Sequence, residues 1–216
     1  MKKKIFVITL VVSLLVLSIA GSSMAYFTDT EQVTNTFTTG NVDIKLSEIN
    51  PADGTLTEIV NPITGFAYKN IYPGQVIAKQ PTITNVSNTE DSVYTGAIIT
   101  LTNAAGLLPN EAAVKKFLDG GALNTDGVAT TKYVINDTDN TITVYAIINA
   151  PLEYNASVDV FANVAVPKEW TNEQMAIFAS MEITIKAYAT QIPGFSGAEE
   201  AITSAFTNDW TGYTTP

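Results

Sequence analysis

The sequence predicts an all-β fold with two or three short helices, built as a two-sheet antiparallel sandwich with a jelly-roll-like topology. Several segments alternate apolar and polar residues with a period of two, which is typical of strands that bury one face. Thr, Val and Ile are frequent, and β-branched residues favour pleated strands. Hydrophobic residues make up 46% of the 216 residues and charged residues 15%, as expected of a folded chain. An immunoglobulin-like sandwich is the second topology that this pattern fits.

The predicted strands follow one another along most of the chain. The first has Val42, Ile44 and Leu46 on one face and polar residues between them. Segments 82–86 and 93–102 are rich in Ile, Val and Thr. Further alternating runs occupy 132–135, 141–148, 158–166 and 183–189. Strict alternation predicts antiparallel sheets that are packed face to face.

Turn and capping residues separate these strands. The polar run 136–140 lies between two alternating segments and predicts a hairpin. Asn110 is placed to cap a helix over 111–118. Thr171 with Gln174 forms a capping-box pattern for 172–180, and Ser196 with Glu199 forms another for 197–206.

The composition excludes several kinds of chemistry. The chain has no His and no Cys, and its 11 basic residues are all lysines. A conventional zinc site, a His-based triad, a Cys nucleophile and an iron–sulfur cluster therefore lack their residues. The formal charge of −10 is the opposite of the basic surface that nucleic acids require, so we expect no nucleic-acid partner.

The first 25 residues have the pattern of a secretory signal peptide. Lys2–Lys4 precede a long apolar run, and small residues lead to a predicted cleavage site between Ala25 and Tyr26. A retained membrane anchor is the alternative, because the uncharged stretch is long enough to span a bilayer. Cleavage would remove three lysines and leave eight against 21 acidic residues, a formal charge of −13. We expect residues 26–216 to form one secreted domain without a stable membrane anchor.

The junction after this segment resembles the TasA/camelysin family. It reads Met24-Ala-Tyr-Phe-Thr-Asp-Thr30, and a Thr39-Gly-Asn-Val-Asp-Ile44 strand follows. The Pro73-Gly74 turn before Asn85–Asn88 and the segment 185–191 are similar to further parts of the family pattern. The resemblance implies a jelly-roll protein of the biofilm matrix or cell surface, cleaved by a SipW-type signal peptidase. It also implies self-assembly into filaments, with other matrix proteins as further partners.

The resemblance gives the N-terminal segment a specific expected role. In TasA fibres the N-terminal segment of one subunit inserts as a strand into the next. Residues 26–40 fit a donor strand, since Tyr26, Phe27, Val33 and Phe37 are spaced among Thr and Asn without proline. The alternative is that this segment is the first strand of its own sandwich. A monomeric surface module that binds a partner or a glycan remains the alternative function.

Camelysin is described as a metallopeptidase, but the sequence names no catalytic residue for that activity. The acidic pairs Glu90/Asp91 and Glu199/Glu200 are typical of solvated surface charge. Asp137 and Asp139 are the candidate ligands for a hard cation such as Ca²⁺, although the full calcium-loop pattern is missing. We therefore expect a structural protein with no cofactor and no catalytic site.

Overall fold

The computed structural model describes residues 28–31, 42–59, 66–87, 91–125 and 129–206. The described chain is mostly β-structure in antiparallel sheets, with three short α-helices, which confirms the predicted fold class. Two layers of strands face each other across the main hydrophobic core.

The first layer is a five-stranded sheet. It contains β1 (Thr28–Glu31), β6 (Val93–Thr102), β8 (Ala129–Asn136), β9 (Thr141–Leu152) and β12 (Glu182–Gln191). The strand order is β1-β12-β6-β9-β8, and every pair is antiparallel. The predicted hairpin at 136–140 joins β8 to β9. Strands β1 and β8 therefore lie at the two edges of this sheet.

The second layer consists of two smaller sheets. One contains β2 (Ile44–Ile49), β3 (Leu56–Glu58), β5 (Thr82–Asn85) and β10 (Ser157–Asp159), in the order β10-β5-β2-β3. The other contains β4 (Val76–Ala78), β7 (Leu118–Asp119) and β11 (Asn163–Ala165), in the order β4-β11-β7.

The second layer is divided because one pair of chain segments is interrupted. Segments 76–85 and 157–165 pair twice, as β4 with β11 and as β5 with β10. Between these ladders lies Pro81, which has no N–H to donate. Its carbonyl still accepts a hydrogen bond of 2.9 Å from the Val160 N–H. The continuous strand expected over 158–166 is therefore two short strands, and three sheets form where the sequence predicted two.

The core lies where the predicted alternation put it. Val42, Ile44 and Leu46 are buried, whereas Asp43 and Lys45 between them are exposed. Ile83 on the neighbouring strand β5 is fully buried beside them, and the facing layer contributes Ile99, Leu101, Ile142 and Val144. Removing this area from water is the main stabilising contribution to such a fold.

Two of the three helices begin as predicted. Helix α1 (Glu111–Phe117) has the Asn110 side chain accepting from the Ala113 N–H at 3.0 Å. Helix α2 (Asn172–Phe178) has the complete capping box of Thr171 and Gln174. Helix α3 (Ala198–Ala205) departs from the prediction, because Ser196 bonds to Glu200 at 2.6 Å and not to Glu199, and Gly197 is the N-cap.

Helix α3 covers the outer face of the first sheet. Ile202 and Phe206 pack on Tyr145 and Tyr188, and the rings of Tyr188 and Phe206 meet edge to face at 4.8 Å. Gly96 permits this approach, because a Cβ there would lie 2.5 Å from Ile202 Cγ2. The middle of β9 is consequently buried on both faces, whereas its alternation predicted one buried face.

Candidate functional site

The edge of the first sheet beside β12 is closed over part of its length. β1 pairs with residues 187–190, from Thr28 opposite Thr190 to Glu31 opposite Ala187. The described part of the chain places no strand beside 182–185 on that side, while β6 pairs with β12 along all ten of its residues. Half of β12 therefore presents a strand edge to whatever lies alongside it.

A groove of about 1190 Å³ runs along this open half of β12. One wall is β12 itself, with Ile183 and Ile185 half-buried at its surface. The opposite wall belongs to the second layer, and helix α2 and the coil 66–71 complete the lining. The apolar residues around it are Leu46, Ile59, Phe66, Ile71, Ile77, Val164, Met175, Phe178, Met181, Ile183 and Ile185. Such a surface suits an extended, partly apolar chain.

The α2 end of the groove is fixed by aromatic packing. The Phe178 ring lies 5.4 Å from the Trp170 ring and 6.0 Å from the Phe117 ring, centroid to centroid. Trp170 and Phe117 themselves pack at 6.0 Å. Because Phe117 is fully buried, this cluster ties the groove floor to the core.

A buried ion pair lies in the wall across from β12. Lys79 Nζ lies 2.5 Å from Glu48 Oε1, and the two side chains are 9% and 7% exposed. The Tyr68 hydroxyl donates to the same carboxylate at 2.9 Å, and Lys79 Nζ is 5.8 Å from the Tyr68 ring centroid. Each charge is thus compensated by an opposite charge or a hydrogen bond, as burial requires.

The environment of Tyr68 opposes its ionisation. Burial raises the pKa of the phenol above its usual 10.0, and the negative charge of Glu48 raises it further. The phenol therefore remains a hydrogen-bond donor to Glu48 throughout the neutral range.

The sequence-predicted cleavage and donor-strand residues are not among those described. Ala25, Tyr26, Phe27, Val33 and Phe37 all lie outside the described residues. Within the segment 26–40, the structure gives the backbone of Thr28–Glu31, which is strand β1. The closest described neighbour of the proposed donor segment is therefore β12.

The acidic candidates lie on exposed surface. Asp137 and Asp139 belong to the β8–β9 hairpin turn, where the Asn136 amide donates to Asp139 Oδ2 at 2.7 Å. Glu199 and Glu200 are exposed in the first turn of α3, and Asp91 is exposed, while Glu90 lies outside the described residues. Among the described residues no three Asp or Glu side chains gather in a way that could hold a metal ion.

Sequence reasoning missed the residues that build the groove wall, although a signal for them existed. Glu48 continues the inward series of Ile44 and Leu46 with the same period of two. Lys79 follows Ile77 with the same period, one residue beyond the end of β4. A Glu and a Lys that continue inward-facing series in two different segments indicate a buried pair, because neither is buried alone.

The comparison with family models gives one match. Residues 1–104 match the family described as camelysin metallo-endopeptidase. The predicted family resemblance is confirmed over this part of the chain. The match extends from the predicted signal peptide to the end of β6. It therefore includes the proposed donor segment, the Glu48–Lys79 pair and Tyr68, but it ends before β12. No curated protein and no solved structure matches the chain.

In the part of the chain that the structure describes, no helix has the length and apolar character to cross a membrane.

Proposed function

We propose that this protein is a secreted structural subunit of extracellular matrix fibres. Subunits join head to tail when the N-terminal segment 26–40 of one copy docks as a strand along β12 of the next. The observation that carries the proposal is that, among the described residues, β1 pairs with four of the ten residues of β12.

The register of β1 supports a longer ladder at this edge. Continuing the pairing of Glu31 with Ala187 by one residue at a time would bring Val33 opposite Ile185 and Phe37 opposite Met181. Ile185 and Met181 both line the groove. Directly opposed residues of an antiparallel pair lie on the same face, so the apolar donor residues would meet the apolar groove.

Strand addition of this kind extends without limit. The donor and the acceptor are different surfaces of the same chain, so each added copy exposes a new acceptor edge. Main-chain hydrogen bonds supply affinity, and the groove supplies specificity for alternate donor side chains. A filament follows from this heterologous contact.

The processing of the chain fits the same proposal. Cleavage after Ala25 by a SipW-type signal peptidase would free Tyr26 and export the subunit to the matrix or the cell surface. Its acidic excess of −13 would keep subunits soluble until they assemble.

The test uses two half-disabled variants of the mature protein that begins at Tyr26. A chain that lacks 26–40 keeps the acceptor groove without a donor, and Ile185→Asp keeps the donor with a charged acceptor. We expect the mature protein to form filaments by electron microscopy, neither variant to do so alone, and their equimolar mixture to give dimers by light scattering. Ile177→Asp is the matched control, because Ile177 is 45% exposed and outside the groove lining.

Filaments from the chain without 26–40 would contradict the proposal. A mature protein that stays monomeric at high concentration yet binds cells would instead favour the surface-module alternative.

The family description makes a metallo-endopeptidase the second candidate function. The acidic residues nearest to a cation-site pattern are Asp137 and Asp139, which lie in an exposed turn. Casein cleavage that chelators abolish and that Asp137→Ala also abolishes would establish this activity. Cleavage that survives both treatments would point to a contaminating protease.

A further inference from the structure

We propose that residues 66–71 form a strap that gates the groove, and that the Glu48–Lys79 pair latches this strap through the Tyr68 hydroxyl. Release of the latch would set how fast an incoming strand enters. The inference rests on the proposed function for the identity of that strand, but the latch itself can be measured without it.

The strap separates two cavities. Ala67, Tyr68 and Ile71 line both the groove and a second cavity of about 500 Å³, which lies on the side of Asn50 and Gln75. Ile77 also lines both cavities and is 8% exposed, so it lies beneath the strap. Movement of the strap would join the two cavities and uncover Ile77.

The strap is held to the sheets by side chains more than by its backbone. Residues 66–71 belong to no helix or strand. Within the described ranges, their backbone makes no hydrogen bond to the backbone of a helix or strand. The bond from the Tyr68 hydroxyl to Glu48 is their hydrogen-bonded connection to β2. Segments with few backbone hydrogen bonds open locally at low free-energy cost.

The acceptor of this bond is held in place by Lys79. The ion pair fixes the Glu48 carboxylate, and a hydrogen bond to a charged group is stronger than one to a neutral group. Loss of such a bond corresponds to about a ten- to hundredfold change in an opening equilibrium. The latch therefore holds the strap closed most of the time without locking it.

The chain has no cysteine, so one introduced thiol reports on the strap alone. Ile77→Cys places a thiol beneath the strap, and its rate of alkylation measures opening. We expect Tyr68→Phe in this background to raise the alkylation rate about ten- to hundredfold. Tyr72→Phe is the matched control, since Tyr72 is 61% exposed, just beyond the strap. Equal alkylation rates when Ile77→Cys is combined with Tyr68→Phe and when it is combined with Tyr72→Phe would refute the proposed latch.

A second thiol distinguishes local opening from global unfolding. Ile142 is fully buried in the core, so an Ile142→Cys thiol reacts through global unfolding, which urea accelerates steeply, whereas local opening at Ile77→Cys should depend little on urea. Equal alkylation rates with equal urea dependence at the two thiols would show that Ile77 is reached by global unfolding, and the latch would be rejected.

The gating role is tested with a synthetic peptide of residues 26–40 and a chain that begins at Asn41. We expect Tyr68→Phe to raise the association rate of the peptide by a factor similar to that for alkylation. Faster alkylation with an unchanged association rate would overturn the gate. A peptide that does not bind at all would refute strand exchange, and the alkylation rates would still decide whether the latch controls access to the groove.

Discussion

The two ion pairs that β2 makes predict a large and a small loss of stability when their lysine is replaced. Glu48 pairs with Lys79 in the groove wall, where the side chains are 7% and 9% exposed. Lys45 pairs with Glu58 at 3.0 Å on the surface, where they are 47% and 42% exposed. Replacement of lysine by methionine can therefore be compared in a buried pair and in an exposed pair that both involve β2.

Lys79→Met leaves a buried carboxylate without its countercharge. Removing one partner of a buried pair costs about 3–5 kcal/mol of unfolding free energy. The Tyr68 hydroxyl still donates to Glu48, so we expect a value near the lower end, about 3 kcal/mol. For a chain of this size, that corresponds to a fall in Tm of roughly 6–12 °C.

Lys45→Met should change the unfolding free energy by less than about 1 kcal/mol, because exposed pairs are screened by water and salt. The double variant Glu48→Met with Lys79→Met should recover most of the loss, since replacing a whole buried pair by apolar groups is often close to neutral. The single variant Glu48→Met completes the double-mutant cycle.

Urea denaturation followed by tryptophan fluorescence measures these differences, with buried Trp170 as a reporter near the groove. Equal costs for Lys79→Met and Lys45→Met would refute the reasoning. So would a double variant as unstable as the sum of its single variants, because the two residues would then not act as a pair.

Three further changes test other parts of the structure by the same denaturation measurement. Gly96→Val should cost about 1–3 kcal/mol by displacing Ile202 of α3, whereas Gly106→Val, at a position with open space around it, should cost far less. Thr171→Ala removes the capping box and should cost about 1 kcal/mol, which Thr171→Ser should largely restore. Burial and the charge of Glu48 raise the pKa of Tyr68 in the folded chain. Its phenol therefore loses its proton first in the unfolded chain. The contribution of Tyr68 to the unfolding free energy is fully present below about pH 10 and is lost as the pH rises further. The stability difference between wild type and Tyr68→Phe should therefore shrink above about pH 10, and a constant difference would contradict the assigned environment.

Local patterns predicted the strands because alternation reports directly which face is buried. Val42, Ile44 and Leu46 show this, and the caps at Asn110 and Thr171 are equally local. The split between β10 and β11 was not predictable from 158–166, because Pro81 causes it from a distant segment.

The groove could be predicted less well than the strands, for two physical reasons. It is bounded by six separate segments of the chain, and its lining depends on which strand edges remain open. The alternation of β12 indicates that Ile183 and Ile185 face inward, but it carries no information on what lies beside them. The two-residue period of Ile44 and Leu46 predicts that Glu48 faces inward. That Lys79 is its partner depends on the pairing of β2 with β5 and on the course of the segment before β5, which the sequence pattern does not give.

The pairing of β1 with β12 gives the proposed exchange a thermodynamic direction. A subunit's own strand acts at an effective concentration of about 1 mM, so a neighbour at about 1 μM must gain roughly 4 kcal/mol to replace it. Among the described residues β1 pairs with four of the ten residues of β12, which leaves six that a longer ladder could engage. In an antiparallel ladder every second residue points both its N–H and its C=O toward the neighbour, so those six residues would add about six hydrogen bonds. At about 0.5–1.5 kcal/mol each, the ladder alone gives about 3–9 kcal/mol, a range whose lower end does not reach that threshold. Burial of donor side chains against Ile183 and Ile185 supplies the remaining margin. This is why one charge at Ile185 should stop fibres while leaving a folded monomer, a result that sedimentation and electron microscopy of the same sample can separate.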